Sequence, residues 1–124
     1  MATPQGVYDC DLATGRLTLL KRTPVLGGYD PSGYVTERRW VTARDNTRVP
    51  LSMVYKKGVK LDGSAPCFLY GYGSYGLGMD ASFSIARLSL VERGMVFVIA
   101  HIRGGDELGE AWHDDGMLMH KKNT

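Results

Sequence analysis

The glycine-rich loops, the histidines and a run of carboxylates are the parts of this sequence whose types and spacing could do chemistry. Gly71-Tyr72-Gly73-Ser74-Tyr75-Gly76 fits G-x-G-x-x-G, follows the apolar run Cys67-Phe68-Leu69-Tyr70 and precedes a helical pattern. In a dinucleotide site such glycines let a pyrophosphate approach the backbone at a helix N-terminus. Here the helical pattern begins well past Gly76, and the next strand ends in His101 where an acidic ribose partner belongs. A glycine turn that lets two elements pack closely is the better reading. A serine nucleophile on a strand-to-helix elbow needs glycine two positions before it and two after. Ser74 has Tyr72 and Gly76 at that spacing, and Ser64 has Asp62 and Pro66, so neither qualifies.

His101 closes an apolar strand at the carboxyl edge of the expected sheet, where ligands gather in α/β folds. With no partner evident in the sequence, it reads as a satisfied, partly buried histidine. Cys10, Cys67, His101, His113 and His120 are too scattered for a zinc set, so neither a metal nor a cofactor is expected. Asp106, Glu107, Glu110, Asp114 and Asp115 read as a solvated helix start favoured by the helix dipole, with Trp112 as its buried anchor. Paired carboxylates for acid–base work remain open.

These residues need elements to hold them. Residues 7–21 carry two short apolar stretches around Ala13-Thr14-Gly15, a hairpin signal. Residues 22–33 hold Pro24, Gly27, Gly28, Pro31 and Gly33 and read as a linker. Val35–Val41 and Arg48–Tyr55 are rich in β-branched and aromatic residues, and Asp45-Asn46 suits a turn between two antiparallel strands. Cys67–Tyr70 is a short strand. Asp80 or Ser82 could cap a helix running to about Arg93, with Phe83, Ala86, Leu90 and Val91 on one face and Gly94 as its stop. Met95–Ala100 is apolar without alternation, as in a parallel strand covered on both faces. Residues 66–101 therefore form a βαβ crossover, and a weaker helical stretch starts at Glu107.

With 124 residues, 44% of them hydrophobic and 23% charged, there is material for one modest domain. A net charge of +2 is far from that of a nucleic-acid binder. The longest strongly apolar run, Met95–Ala100, cannot span a membrane as a helix. Met1–Gln5 lacks the regions of a signal peptide, and two cysteines suit a reduced, cytoplasmic setting. One antiparallel pair and two parallel strands make half of a doubly wound domain, so a fragment with an incomplete fold is expected.

Taken together, Tyr70–Gly76, Arg93-Gly94, Ala100–Gly109 and Trp112 resemble the prolyl oligopeptidase family of serine peptidases. Ser74-Tyr75-Gly76, Tyr34–Arg38 and Lys122-Asn123-Thr124 are similar to its oligopeptidase B branch. The resemblance implies a propeller joined to an α/β-hydrolase domain: residues 1–21 a terminal propeller hairpin, 22–33 the linker, 34–124 the N-terminal portion of the hydrolase. It implies that Tyr72 donates a hydrogen bond to a developing oxyanion. Asp80 would face basic substrate side chains, although it serves equally as a helix cap. Arg103-Gly104-Gly105 would be architectural, with Arg103 tying loops together. Short peptides cleaved after Arg or Lys through an acyl-enzyme are the implied substrates. The nucleophile, the acid and the histidine of the triad would lie past Thr124, leaving this stretch inactive alone. The alternative is a non-catalytic interaction module that completes a partner's sheet.

Overall fold

The computed structural model describes residues 1–124. A hairpin comes first: β1 (Gly6–Cys10) and β2 (Leu17–Arg22) pair antiparallel as a separate two-stranded sheet. Its turn forms because Asp11 Oδ1 accepts the Ala13 and Thr14 N–H groups, at 2.9 and 3.2 Å, while Gly15 takes a positive φ of 70°. The proline- and glycine-rich segment that follows has only one turn of 3-10 helix, Pro31–Gly33, capped by Asp30.

Four strands build the main sheet. β3 (Tyr34–Thr42) and β4 (Arg48–Lys56) are an antiparallel pair, β5 is Cys67–Tyr70 and β6 is Val96–Ala100. The order across the sheet is β3-β4-β6-β5, so β6 inserts between two strands made before it. It runs antiparallel to β4 and parallel to β5, and the chain reaches it through helix α1 (Ile85–Glu92). All five β6 residues are buried, as an apolar run without alternation requires. Phe97 and Ile99 face one way and pack with Val54 of β4 and Val91 of α1. Val96 and Val98 face the other way, against Met53, with Val59 and Ala65 of the β4–β5 connection beside them. The β5 edge is bare: Phe68, Leu69 and Tyr70 are all exposed.

Two helical expectations need correction. α1 is capped by Ser84, whose Oγ accepts the Arg87 N–H, and neither Asp80 nor Ser82 caps it. Phe83 is not on the helix face; its ring meets Tyr29 edge-on at 5.3 Å and anchors the approach to the helix. The residues α1 buries are Leu88 and Val91, and Gly94 at φ 84° ends it as the sequence suggests. The second helix, α2, spans only Glu110–Asp114. Gly109 at φ 93° keeps the backbone from extending back to Glu107. A 3-10 segment, Leu118–Asn123, follows.

Glu92, the last residue of α1, is gripped by the sheet: Lys56 Nζ donates to it at 2.7 Å and the Tyr34 hydroxyl donates to its other oxygen. The Lys56 bond, then the Tyr34 bond, hold the carboxyl below its ordinary range, and the same contact pushes the Tyr34 phenol up to about 12. Ile99 is fully buried at the centre of this packing. Ile99→Ala is expected to cost about 2–5 kcal/mol, read as a lowered urea midpoint; a change below about 1 kcal/mol would mean that the β6–α1 contact is not the core.

Candidate active-site wall

Parallel strands end at the same edge of a sheet, so the loops leaving β5 and β6 lie side by side. Residues 71–79 leave Tyr70, residues 101–107 leave Ala100, and the register pairs Tyr70 with Ile99. The two loops touch through backbone. Gly76 N–H donates to the Gly104 carbonyl at 3.0 Å, and Gly104 N–H donates to the Trp112 carbonyl at 3.0 Å. A methyl group on Gly73 would come within 2.7 Å of the Arg103 oxygen, and one on Gly104 within 2.7 Å of the Gly73 carbonyl carbon. Gly116 closes the stack from below: a methyl there would come within 2.7 Å of the Arg103 oxygen. The glycines thus serve close packing, as the sequence pattern was read, and no pyrophosphate is needed to explain them.

This packing fixes Tyr72. Its ring is 41% exposed, and its hydroxyl takes part in none of the hydrogen bonds within the chain. By contrast Tyr29, Tyr34 and Tyr55 each donate to an oxygen. Tyr72 is therefore not a packed aromatic with its hydroxyl on a carbonyl; it is a phenolic donor left free at the carboxyl edge of the sheet. The next turn is held by Leu77 N–H on the Ser74 carbonyl and places Tyr75 at φ 57°. Lys121 Nζ donates to the Gly73 carbonyl and, at 2.8 Å, to Ser74 Oγ.

Asp80 is exposed and has no capping role. It sits on the rim of an open cleft with Tyr70, Met79, Ser82, Arg87 and Phe97. The Arg87 guanidinium is turned to the Ser82 carbonyl at 2.7 Å, so it does not neutralise Asp80 through a hydrogen bond. Tyr72 and Asp80 lie on the same loop segment, on either side of its Gly104-bonded middle.

Sequence reasoning missed a buried polar array below this loop. His101 is 4% exposed, and its partners are Ser52 of β4 and Glu107. Glu107 Oε1 lies 3.3 Å from His101 Nδ1, and Ser52 Oγ lies 2.7 Å from Nε2. A carboxylate only accepts, so Nδ1 carries the hydrogen of that bond, and Nε2 shares the other bond with the serine hydroxyl. The Trp112 indole N–H donates to the His101 carbonyl at 3.1 Å. A serine, a histidine and an acid in series have the order of a nucleophilic relay, yet Ser52 cannot act as one. It lies mid-strand between Arg38 and Ile99 and is only 7% exposed, so its hydroxyl is closed off from the surface. No sequence signal pairs residues 52, 101 and 107, because only the strand order brings them together. Glu107 consequently leaves the solvated helix start expected for it, and since α2 begins only at Glu110, both Asp106 and Glu107 lie before the helix.

Arg103 does tie loops together. Its Nη2 lies 2.6 Å from Asp45 Oδ2, its Nη1 donates to Thr47 Oγ1 at 3.2 Å, and its guanidinium lies over the Trp112 ring. The Thr47 N–H and then Arg103 lower the Asp45 carboxyl below its ordinary range. No group of His, Cys, Asp and Glu side chains is arranged to hold a metal, and no helix is long and apolar enough to cross a membrane.

Tyr72 thus stands on a loop beyond the carboxyl end of a parallel strand, the edge at which open α/β sheets place their ligand crevices. Residues 81–124 match the prolyl oligopeptidase family. The dipeptidyl aminopeptidase BI of Pseudoxanthomonas mexicana is 53% identical over 125 residues, which is 100% of this chain and 17% of that protein. Oligopeptidase B from Leishmania major superposes with a TM-score of 0.88 at 49% identity, covering 100% of this chain and 17% of that one. Oligopeptidase B from Trypanosoma brucei, with covalently bound antipain, gives 0.87 at 41% identity, covering 99% of this chain and 18% of that one. Over its whole length the chain is similar to members of the prolyl oligopeptidase family, and its residues 81–124 match the family itself. It spans 17% of the length of the dipeptidyl aminopeptidase BI that it matches.

Gly104→Ala tests the stacking. The side chain would overlap the Gly73 carbonyl and force φ 97° on a non-glycine residue. A loss of about 2 kcal/mol or more in unfolding free energy is expected; an unaltered midpoint would show that the loops can separate freely.

Proposed function

We propose that this stretch forms one wall of the active site in a serine peptidase that cleaves short peptides after Arg or Lys through an acyl-enzyme. The observation that carries the reading is the Tyr72 hydroxyl, half-exposed and unengaged on a loop packed backbone to backbone. In an α/β-hydrolase the loop after the third strand supplies part of the oxyanion hole, and β5 is the third strand of the main sheet in chain order. A donor already placed where negative charge develops stabilises the tetrahedral intermediate without reorganising. Covalent capture of antipain by the Trypanosoma brucei relative agrees with a covalent intermediate.

Asp80 supplies a carboxylate for the basic side chain of the substrate. Its freedom from capping supports that role, and the oligopeptidase B neighbours support the preference for Arg or Lys. In the same reading residues 1–21 close a propeller, 22–33 cross between domains and 34–124 begin the hydrolase. Further strands extend the sheet from the bare β5 edge, which makes a separate partner chain unnecessary to explain that edge. Two exposed, unpaired cysteines, Cys10 and Cys67, fit a reducing, cytoplasmic setting.

In the full-length protein, Tyr72→Phe is expected to lower kcat by about 10²–10³ with KM little changed, since the lost donor acts in the transition state. Steady-state kinetics on a fluorogenic peptide ending in Arg measure this, and an unchanged kcat removes Tyr72 from the mechanism. The isolated 124-residue chain is expected to show no turnover of the same peptide, because it holds no serine elbow; turnover above the buffer rate would overturn the assignment of the nucleophile to residues outside it.

A further inference from the structure

We propose that Glu107 is a positioning residue for Tyr72, acting from beneath the loop by joining it to the centre of the sheet; this rests on the oxyanion reading of Tyr72. Glu107 Oε1 accepts twice, from the Met79 N–H at 2.9 Å and from His101 Nδ1 at 3.3 Å. Its side chain is only 11% exposed. His101 in turn is fixed by Ser52 on β4 and by the Trp112 indole on its own carbonyl. A continuous path of hydrogen bonds therefore runs from the middle of β4, through the end of β6, to the exit of the loop that carries Tyr72.

The position of Met79 gives this path its effect. Residues 71–79 meet the loop after β6 along their length: Gly71 lies on Ala100 and the Ile102 side chain, Gly73 on Arg103, Gly76 bonds to Gly104, and Met79 bonds to Glu107. The glycine contacts are close packing and one backbone hydrogen bond, which the missing side chains permit. The Met79 bond is made by an ionisable side chain, and it closes the far end of the loop. Gly105 and Gly78 make room for it, since a methyl on Gly105 would come within 3.0 Å of the Glu107 carboxyl carbon and one on Gly78 within 3.3 Å of Glu107 Cγ. Without the carboxylate, Met79 N–H and His101 Nδ1 are left buried without an acceptor, and the loop exit must move to reach water. A catalytic donor displaced by about 1 Å loses much of its effect, up to 10²-fold in rate.

The test is a double-mutant cycle in the full-length protein, with the fluorogenic Arg peptide and amide hydrogen exchange as readouts. Glu107→Ala is expected to lower kcat about tenfold with KM within about twofold, and to speed exchange at Met79 and across residues 71–79. Glu107→Gln keeps an acceptor oxygen for both donors and restores most of kcat. Glu107→Asp, one methylene shorter, falls between them and serves if the alanine variant does not fold. In the Tyr72→Phe background the same Glu107→Ala change should alter kcat by less than about twofold, because its effect passes through the lost hydroxyl. An equal loss in both backgrounds, or unchanged exchange at Met79, overturns the proposal. Full kcat in Tyr72→Phe alone overturns the oxyanion reading instead, and with it the catalytic part of the role of Glu107.

Discussion

Three backbone segments meet at Gly73, Gly104 and Gly116 with no room for a methyl group between them. That contact is the constraint on which the candidate site depends. It lets the two loops beyond β5 and β6 stack directly, so the donor on the first inherits the rigidity of the second. Side chains between them would add rotamers and distance, and a phenol on a loop held at arm's length could not be aimed. Arg103 and Trp112 then brace the second loop against the β3–β4 turn and against α2.

Beneath the stack lies a layer with a different logic. Ser52, His101 and Glu107 are buried polar groups, each of which would be costly without its neighbour. Their donors and acceptors are satisfied in series, apart from Glu107 Oε2 and the nearby Arg103 Nε, which find no partner within the chain. Backbone packing above and a polar series below act on the same nine-residue loop from two sides. Neither needs to be flexible for the chemistry assigned to Tyr72, since an oxyanion donor acts by being already in place.

Much of the main sheet could be read from patterns within short windows. The unbroken run at Met95–Ala100 signalled a strand covered on both faces, and β6 is buried at every position. The segments rich in β-branched and aromatic residues on either side of Asp45-Asn46 pair antiparallel. Helix ends were less legible because several residues competed for them: Asp80, Ser82 and Ser84 all have capping side chains, and only the docking of Phe83 on Tyr29 selects the last. Glu107 was unreadable for a deeper reason. It stands beside the exposed Asp106 in an acidic stretch, whereas its partners are residues 79 and 101, the latter in turn bonded to residue 52, and the strand order alone gathers them. Tyr72 could be located by its motif, but whether its hydroxyl was free or engaged depended on every other oxygen near it.

The insertion of β6 between β4 and β5 has a bearing on how the protein is made. During synthesis β5 leaves the ribosome before β6, its neighbour in this sheet, and the whole of α1 must follow before β6 exists. For that interval Phe68, Leu69 and Tyr70 have neither a ladder nor a covering layer, the condition in which nascent chains meet wrong partners. Residues 71–95 are thus the stretch of chain that must be made before the apolar face of β5 gains its neighbour within the sheet.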